Sequence, residues 1–408
     1  MHNRLLTETA KKHLMQFDLV IVGGGLAGLS LACALHDARL KIALVENHAP
    51  KPSSGWDARV YAISPANADF LREIGAWKHL NPERIAPIHA MKVIGDGGAR
   101  LDFSAYESGV PELGWILESS LMACELWENV KRQGNLTLFC PAAPKSLSMT
   151  DDLAHLTLND GRMLTAKLLV GADGRDSWVR EAAGLKAINT PYGEMGVVAN
   201  FTCEKPHRGI ARQWFRDDGV LAWLPLAGDA SNESRTHRFS IVWSTPDAHA
   251  NELLALSAEA FADRVAAAGN NELGRLEVIT PPTAFPLRLM RVPQTVAPRL
   301  ALVGDAAHGI HPLSGHGINL GYQDAKALAD LLRATPEWQD LGSERLLQRY
   351  QRARREETAL MQYTTHTLRR LFSEKLPGLK TLRNAGMNLT NALPVVKNQL
   401  VRYALGAF

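Results

Sequence analysis

The feature that most constrains this fold is a short apolar strand that runs directly into a glycine turn and a helix. Residues 17–22 are apolar apart from one aspartate, and glycines follow at Gly23, Gly25 and Gly28 with the spacing G-x-G-x-x-G. In a βαβ unit these glycines serve a tight turn, the close approach of a pyrophosphate, and close packing of helix on strand. The pattern therefore predicts an α/β domain that binds a dinucleotide at the start of its first helix.

The sequence after the glycine turn supports a complete dinucleotide-binding unit. Residues 30–37 are helical in pattern, and residues 41–45 form a second apolar strand that ends at Glu46. An acidic residue about 20 positions after the motif is placed to bind a ribose hydroxyl. A glycine turn in an ordinary βαβ unit is the alternative. The order of strand, helix, strand and acid favours the dinucleotide site.

Composition and charge exclude several other classes of protein. The 408 residues are 46% hydrophobic and 21% charged, as in ordinary globular proteins, and a net charge of +3 does not argue for nucleic acid. The four cysteines form no C-x-x-C pair and no zinc spacing, which predicts buried thiols in a reducing compartment. No apolar run reaches the ~18 residues of a spanning helix. We expect a cytoplasmic protein, and a peripheral position at the inner face of the membrane stays open.

The pattern along the chain predicts a nucleotide-binding domain that is interrupted by a β-rich domain and closed by helices. Several β-rich runs lie between residues 197 and 243, and the chain from residue 321 onward is mainly helical in pattern. The predicted segments are an N-terminal extension at 1–16, the nucleotide-binding domain at 17–79, 116–187 and 291–335, the β-rich domain at 80–115 and 188–290, and C-terminal helices at 336–408.

A second motif follows the apolar strand that ends near residue 171. Asp173 and Gly174 bring a carboxylate and a flexible backbone to one point, and Ser177 is placed to cap the next helix. Two interpretations stay open. The carboxylate organises the dinucleotide region, or the Asp-Gly pair serves only the turn.

A third motif begins with a buried strand at residues 299–303, which delivers Asp305 to its end. A carboxylate there can accept hydrogen bonds from a polyol chain. A Pro- and Gly-rich loop follows and keeps bulky side chains away from a flat ring, and the next helix points its N–H groups back at that ring. This arrangement suits a reduced flavin, which carries negative charge at one edge; a loop before a surface helix is the alternative. The loop and helix residues concerned are Pro312, Gly315, Gly317, Ile318 and Asn319.

These three motifs, in this order and at these separations, resemble the FAD-dependent aromatic hydroxylases of the para-hydroxybenzoate hydroxylase type. Within that group the chain is similar to the ubiquinone-biosynthesis hydroxylases, whose Asp-x-Arg-x-x-Ala segment is matched by Asp57, Arg59 and Ala62. The resemblance covers nearly the whole chain from residue 17. It implies an α/β fold in which a Rossmann-like FAD-binding domain is interrupted by a β-rich substrate domain and followed by C-terminal helices. His316 and Met122 depart from the subfamily, which usually has Gln and often Arg there.

The resemblance also implies a role for each motif. The glycine turn and Glu46 hold the ADP part of FAD, Arg59 contacts FAD, and the Asp173 motif is linked to both FAD and reduced nicotinamide. Asp305 meets the ribityl chain, and the loop beside it lies against the flavin ring. The predicted cofactor-binding residues are Gly23, Gly25, Gly28, Glu46, Arg59, Asp173, Gly174, Asp305, Gly315, Gly317, Ile318 and Asn319.

The implied reaction is the hydroxylation of an aromatic ring on a polyprenylated phenol of the ubiquinone pathway. NADPH or NADH reduces the flavin, O₂ adds to give a C4a-hydroperoxyflavin, and this species transfers an OH group. No second G-x-G-x-x-G follows for the nicotinamide, which fits a transient donor. A hydroxylase of another small phenolic substrate and a non-catalytic flavoprotein scaffold are the alternatives.

Several further residues are candidates for the site. His316 and Pro312 are the candidate catalytic residues beside the ring, and the three histidines of this loop lack the carboxylate spacing of a metal site, so no metal is expected. For Trp214 and Trp223, with Leu224 and Pro225, core packing and the lining of an apolar substrate pocket both stay open.

The tail from residue 366 to 408 carries seven Lys and Arg residues besides leucines at helical spacing, with Glu374 as its single acid. Such a tail binds an anionic membrane or another ubiquinone-biosynthesis protein, or packs on the protein body. The oligomeric state stays open.

Overall fold

Two eight-stranded sheets and one three-stranded sheet form the framework of the part of the chain that the structure describes. The computed structural model describes residues 14–228, 236–310, 317–373, 379–393 and 397. The strands are β1 Leu14–Val22, β2 Ile42–Val45, β3 Val60–Ile63, β4 Ala86–Ile88, β5 Ala90–Ile94, β6 Arg100–Ser104, β7 Gly114–Glu118, β8 Leu136–Phe139, β9 Pro144–Met149, β10 Ala154–Leu158, β11 Met163–Gly171, β12 Ile188–Cys203, β13 Ile210–Arg216, β14 Gly219–Leu226, β15 Arg238–Pro246, β16 Leu276–Arg291, β17 Val296–Ala297, β18 Leu300–Leu302 and β19 His308–Gly309.

Ten α-helices are present among the described residues. They are α1 Leu26–Ala34, α2 Pro65–Glu73, α3 Ala105–Ser108, α4 Ser119–Lys131, α5 Trp178–Ala182, α6 Asp247–Ala255, α7 Ala258–Ala268, α8 Gly317–Arg333, α9 Glu344–Ser373 and α10 Leu379–Ala392. Single 3₁₀ turns cover Trp77–His79, Pro82–Arg84 and Gly304–Ala306. None of the described helices is both long enough and apolar enough to cross a membrane.

The first sheet has a parallel centre that aligns the ends of four strands. Its order is β17-β18-β11-β1-β2-β8; in addition β10 pairs with β11, and β9 pairs with β10. Strands β1, β2 and β11 are nearly continuous apolar runs because helices or further strands cover both of their faces. In the parallel register Val22 is opposite Gly171 and Val45, and Gly171 is opposite Leu302. The loops that follow β1, β2, β11 and β18 therefore leave the sheet at one common edge.

The second sheet is mainly antiparallel and has the order β19-β16-β12-β15-β14-β13-β5-β6. One face packs on α6 and α7 through a core that includes Phe201, Phe239 and Phe261. The opposite face meets the three-stranded sheet β3-β7-β4 through a smaller apolar cluster that contains Val60 and Leu226. The predicted fold class, with a Rossmann-like domain and a β-rich second part, is confirmed. The exact domain boundaries stay a prediction.

Local differences from the predicted elements have simple causes. Strand β1 already begins at Leu14, within the predicted extension, and α1 begins at Leu26 because the glycine turn feeds directly into it. The helical segment between residues 247 and 268 is divided into α6 and α7. Leu256 is extended, and the Ser257 hydroxyl accepts a hydrogen bond from the Ala260 N–H, which caps a new helix.

The C-terminal helices fasten both sheets. Helix α10 lies along the edge strand β6, where side-chain oxygens of Asn384, Asn388 and Asn391 accept backbone N–H groups at 3.2, 3.2 and 3.0 Å. Arg383 of α10 forms a buried ion pair with Asp96. These asparagines recur at helical spacing and so cover an edge that would otherwise expose unpaired N–H groups.

Candidate functional site

The three glycines of the first motif differ in what surrounds them, as their separate roles require. Gly23 has a φ of +111°, and a Cβ there would lie 2.3 Å from the Ala172 carbonyl oxygen. A Cβ on Gly28 would lie 2.1 Å from the Gly23 carbonyl oxygen, so helix and turn are in direct contact. At Gly25 no atom of the described residues lies within 4 Å of the Cβ position. The first and third glycines are thus required by the fold, and the middle one leaves free space.

The free space at Gly25 adjoins an uncapped helix N-terminus. Gly25 is the N-cap residue of α1, no side chain caps the helix, and its first turn contains no acidic residue. The N–H groups of a first helical turn have no partner within the helix and carry partial positive charge. The free space and these donors together fit the diphosphate of a dinucleotide.

Glu46 lies at the end of β2, next to the glycine turn. One carboxylate oxygen accepts the Gly24 N–H, and the other accepts the His48 N–H at 3.0 Å. A carboxylate offers about four acceptor positions. Glu46 therefore supports the turn and keeps acceptor capacity for a ribose hydroxyl, which stays its predicted role.

The Asp305 turn lies against the start of α1. Gly304 has a φ of +61°, and a Cβ there would lie 2.9 Å from the Cβ of Ala27. This close approach needs small residues on both sides. Asp305 follows in the 3₁₀ turn with its side chain exposed. The structure therefore brings Asp305, Glu46 and the glycine turn to one sheet edge.

Asp173 reaches the same edge, but its carboxylate caps α5. Its oxygens accept the Ser177 hydroxyl at 2.5 Å and the Val179 N–H at 2.9 Å. Burial raises the pKa of Asp173 above its usual range, against the opposing effect of these hydrogen bonds. Gly174 has a φ of +84°, a left-handed conformation that favours glycine in this turn. These contacts favour the turn interpretation for the Asp-Gly pair, and a role toward the cofactor stays a prediction.

Arg59 belongs to a loop that is held by residues that the sequence did not single out. Glu118, almost fully buried, accepts the Asp57 N–H at 2.6 Å and binds Arg84 through two bonds of 2.7 Å. The Arg84 guanidinium also lies 3.8 Å from the centre of the Trp56 ring. Arg59 itself is exposed at the end of this loop. No sequence spacing links Glu118 to Arg84, because they lie on different elements.

The start of α8 is fixed to the β3–α2 connection by Asn319. Its side-chain oxygen accepts the Ser64 N–H and an Asn67 amide N–H, both at 3.0 Å, and its amide donates to the Ala62 carbonyl at 2.7 Å. Asn319 therefore supports the start of α8 through its side chain, and its predicted contact with the flavin stays a prediction.

Other members of the third motif follow or precede Asn319. Gly317 and Ile318 are half-buried in the first turn of α8. Pro312, Gly315 and His316 lie outside the described residues, so their predicted roles stay predictions.

The two tryptophans proposed for the substrate pocket belong to the core instead. Trp214 and Trp223 are buried and contact each other with ring centres 4.8 Å apart, on the sheet face that packs on α6 and α7. Since side chains alternate along a strand, Pro225 shares the face of Trp223 and Leu224 takes the other. Leu224 packs on the apolar cluster around Ile116, toward the three-stranded sheet. Of the four, Leu224 alone packs toward the three-stranded sheet.

Comparisons with known proteins agree with this geometry. Residues 16–363 match the family described as FAD binding domain. The chain is 34% identical over 395 residues to 3-demethoxyubiquinol 3-hydroxylase of Escherichia coli, covering 95% of this chain and 98% of that protein. It is 35% identical over 394 residues to ubiquinone hydroxylase UbiL of Rhodospirillum rubrum, covering 95% and 89%. The solved structure of pqsL, a probable FAD-dependent monooxygenase from Pseudomonas aeruginosa, has a TM-score of 0.73 at 23% identity, covering 91% and 99%.

Proposed function

The chain belongs to the FAD binding domain family and, within it, to the FAD-dependent hydroxylases of ubiquinone biosynthesis, and we propose that it hydroxylates the aromatic ring of a polyprenylated phenol. The family makes it a flavoprotein monooxygenase, an oxidoreductase that uses FAD and O₂. The observation that carries the proposal is the free space at Gly25 before an uncapped helix, with Glu46 and the Asp305 turn at the same sheet edge. NADPH or NADH is the proposed electron donor.

The chain's own residues bind and orient the reactants. When bound, FAD supplies the redox chemistry, taking electrons from the donor and activating O₂ for transfer to the ring. The N–H groups of α1 hold the diphosphate, Glu46 accepts a ribose hydroxyl, and Asp305 accepts hydroxyls of the ribityl chain. The N-terminus of α8 stabilises negative charge at the ring edge.

The phenol ring is proposed to lie between the flavin and the second sheet. The sheet face that carries Leu224 and Leu226 is apolar and meets Trp56 of the Arg59 loop. An apolar wall would exclude water from the reacting ring and so prevent side reactions with water. Pro312 and His316 are the proposed groups on the flavin side. His316→Gln, which supplies the subfamily residue, is expected to retain hydroxylation unless the imidazole transfers a proton.

The reaction is tested with purified protein, FAD, NADPH or NADH, a polyprenylated phenol and ¹⁸O₂. We expect heat to release FAD from the protein and one ¹⁸O atom to appear on the product ring. Label from water would exclude oxygen transfer from O₂. Turnover of a short-chain phenol alone would support the hydroxylase of a small phenolic substrate. FAD binding without any turnover, and without restored ubiquinone in a deletion strain, would support the scaffold.

Access to the substrate is a separate proposal. A polyprenyl chain partitions into lipid, and the apolar side chains of Leu389 and Leu393 near the end of α10 are 63% and 43% exposed. We propose that this end of the protein touches the membrane surface. Two basic residues of the tail pair within the protein, Arg383 with Asp96 and Lys397 with Glu107, so we base the proposed membrane contact on the exposed leucines.

Membrane contact is tested by flotation with anionic vesicles. Leu389→Asp combined with Leu393→Asp is expected to abolish flotation, because burial of apolar side chains in the interface drives it. Leu254→Asp, at an exposed leucine of α6, is the matched control and should float as the wild type does. Wild type that stays unbound, yet co-purifies with other ubiquinone-biosynthesis proteins, would favour delivery by a partner.

A further inference from the structure

A buried carboxylate lies behind the turn that carries Asp305. Asp324 of α8 accepts the Gly304 N–H at 2.9 Å and contacts His308 Nε2 at 2.6 Å with the same oxygen, Oδ2. Its other oxygen accepts Arg354 Nε at 2.8 Å. The Asp324 and His308 side chains are 1% and 6% exposed, so water does not compete for these bonds. Two donors from the segment 304–308 and one from α9 thus converge on the Asp324 side chain.

The two donors on Oδ2 flank Asp305 in the sequence. One oxygen atom therefore fixes both ends of the segment 304–308, and Asp305 is the exposed residue between them. The backbone of Gly304 is left-handed and lies against Ala27, which limits the alternatives open to the turn. The direction of the Asp305 carboxylate follows from where these two ends are held.

The charges of this cluster balance. Burial raises the pKa of Asp324, but His308 and Arg354 outweigh it and the net pKa is lowered. Burial lowers the pKa of His308, but Asp324, and to a smaller extent Asp305, outweigh it and the net pKa is raised. Arg354 also binds Glu357 at 2.5 Å. Two acids and two bases therefore lie together, and removing one leaves a buried charge without its partner.

We propose that Asp324 is a positioning residue for cofactor binding, which sets the direction of the Asp305 carboxylate by holding Gly304 and His308 on one oxygen. This rests on the proposed function only in that the bound group is FAD. Asp324 is not one of the predicted cofactor-binding residues, and its effect on FAD binding passes through Asp305.

A double-mutant cycle on FAD binding tests this coupling. The dissociation constant of FAD is measured by flavin fluorescence for the wild type, Asp305→Ala, Asp324→Asn and the double variant. Asn keeps the size of Asp but presents an N–H group to donors, so one donor loses its acceptor. Each single substitution is expected to weaken binding by roughly tenfold or more. The double variant should bind about as weakly as the weaker single variant, because both changes act through one carboxylate.

Controls separate positioning from general stability. Asp330→Asn changes a half-exposed acid of the same helix, paired with Lys326 at 3.4 Å, and should leave FAD affinity within about twofold of wild type. Additive effects in the cycle, or wild-type affinity in folded Asp324→Asn, would refute the proposal. Should Asp324→Asn fail to fold, the cycle is run with His308→Ala, which removes one of the two contacts that hold the segment 304–308 on Oδ2, and additivity refutes the proposal there too. FAD binding is measured without substrate, so wild type that binds FAD but hydroxylates no phenol overturns only the proposed function.

Discussion

Substituting alanine for Gly25 should weaken FAD binding, whereas substituting alanine for Gly28 should destabilise the fold. At Gly25 the backbone has φ −76° and ψ 179°, which alanine adopts readily, and no atom in the described part of the chain lies within 4 Å of the new Cβ. At Gly28 the new Cβ would lie 2.1 Å from the Gly23 carbonyl oxygen and 3.0 Å from the Cβ of Ala172. Gly25→Ala therefore fills the proposed diphosphate site, and Gly28→Ala forces the helix away from the turn.

The expected sizes follow from these distances. For Gly25→Ala, a poorer N-cap costs about 0.5–1 kcal/mol. The smaller entropy of the unfolded chain offsets about as much, so the free energy of unfolding of the apo-protein changes by less than ~1 kcal/mol. For Gly28→Ala the clash is with the backbone, so overpacking costs about 3 kcal/mol, the upper end of its usual range. Better helix propensity returns up to ~1 kcal/mol, which leaves a net loss of about 2 kcal/mol. FAD binding to Gly25→Ala loses at least one charge-assisted hydrogen bond, about 1.5–3 kcal/mol, which is roughly tenfold or more in affinity.

The assay combines denaturant unfolding of the apo-proteins with FAD titration. Gly386→Ala, a helical glycine of α10 with no described atom within 4 Å of its Cβ position, is the matched control and should leave FAD affinity unchanged. Wild-type FAD affinity in Gly25→Ala would refute the diphosphate site at α1. An apo-protein of Gly28→Ala as stable as wild type would refute the argument from close packing.

Three further predictions concern the rest of the site and its support. Glu46→Ala should weaken FAD binding by roughly 1–3 kcal/mol, and unchanged affinity in a titration would exclude Glu46 as the ribose ligand. Burial lowers the pKa of His308, but Asp324 raises it by more, so the net pKa is raised. The ion pair of His308 with Asp324 therefore stabilises the fold fully below the unfolded-state pKa of ~6.5. This stabilisation is lost as the pH rises through the raised pKa of the folded state. The excess unfolding free energy of wild type over His308→Gln should therefore shrink as the pH rises above about 6.5, and a constant excess would contradict the ion pair. Arg383→Ala removes the buried ion pair with Asp96, which should cost about 3–5 kcal/mol and speed hydrogen exchange in β6; unchanged exchange would mean that α10 is held by other contacts.

Much of the cofactor site was predictable because its parts are contiguous in the sequence. The roles of Gly23, Gly25 and Gly28 depend on a strand, a turn and a helix that follow one another directly, so their spacing carries the geometry. Glu46 and Asp305 were predictable for a related reason. Each ends an apolar parallel strand, and such strands end at one edge of a sheet.

The alternation of Trp214, Trp223 and Leu224 illustrates where the sequence stopped being informative. A β-strand pattern with apolar residues on both sides predicts two buried faces, but not which face meets helices and which meets the other domain. The structure assigns the tryptophans to the helix-covered core and Leu224 to the opposite face. The structure therefore favours core packing for the tryptophans, one of the two interpretations that the sequence left open.

By itself, the sequence determined the fold class, the FAD family and the residues that end each strand at the site, because these depend on local spacing and on side-chain periodicity. Tertiary structure alone decided which charged groups meet. Asp324 and Arg354 lie 30 positions apart, Glu118 and Arg84 lie 34 apart, and Arg383 and Asp96 lie 287 apart. No spacing rule joins such pairs, because their distance depends on the order of strands in a sheet and on where later helices dock against it.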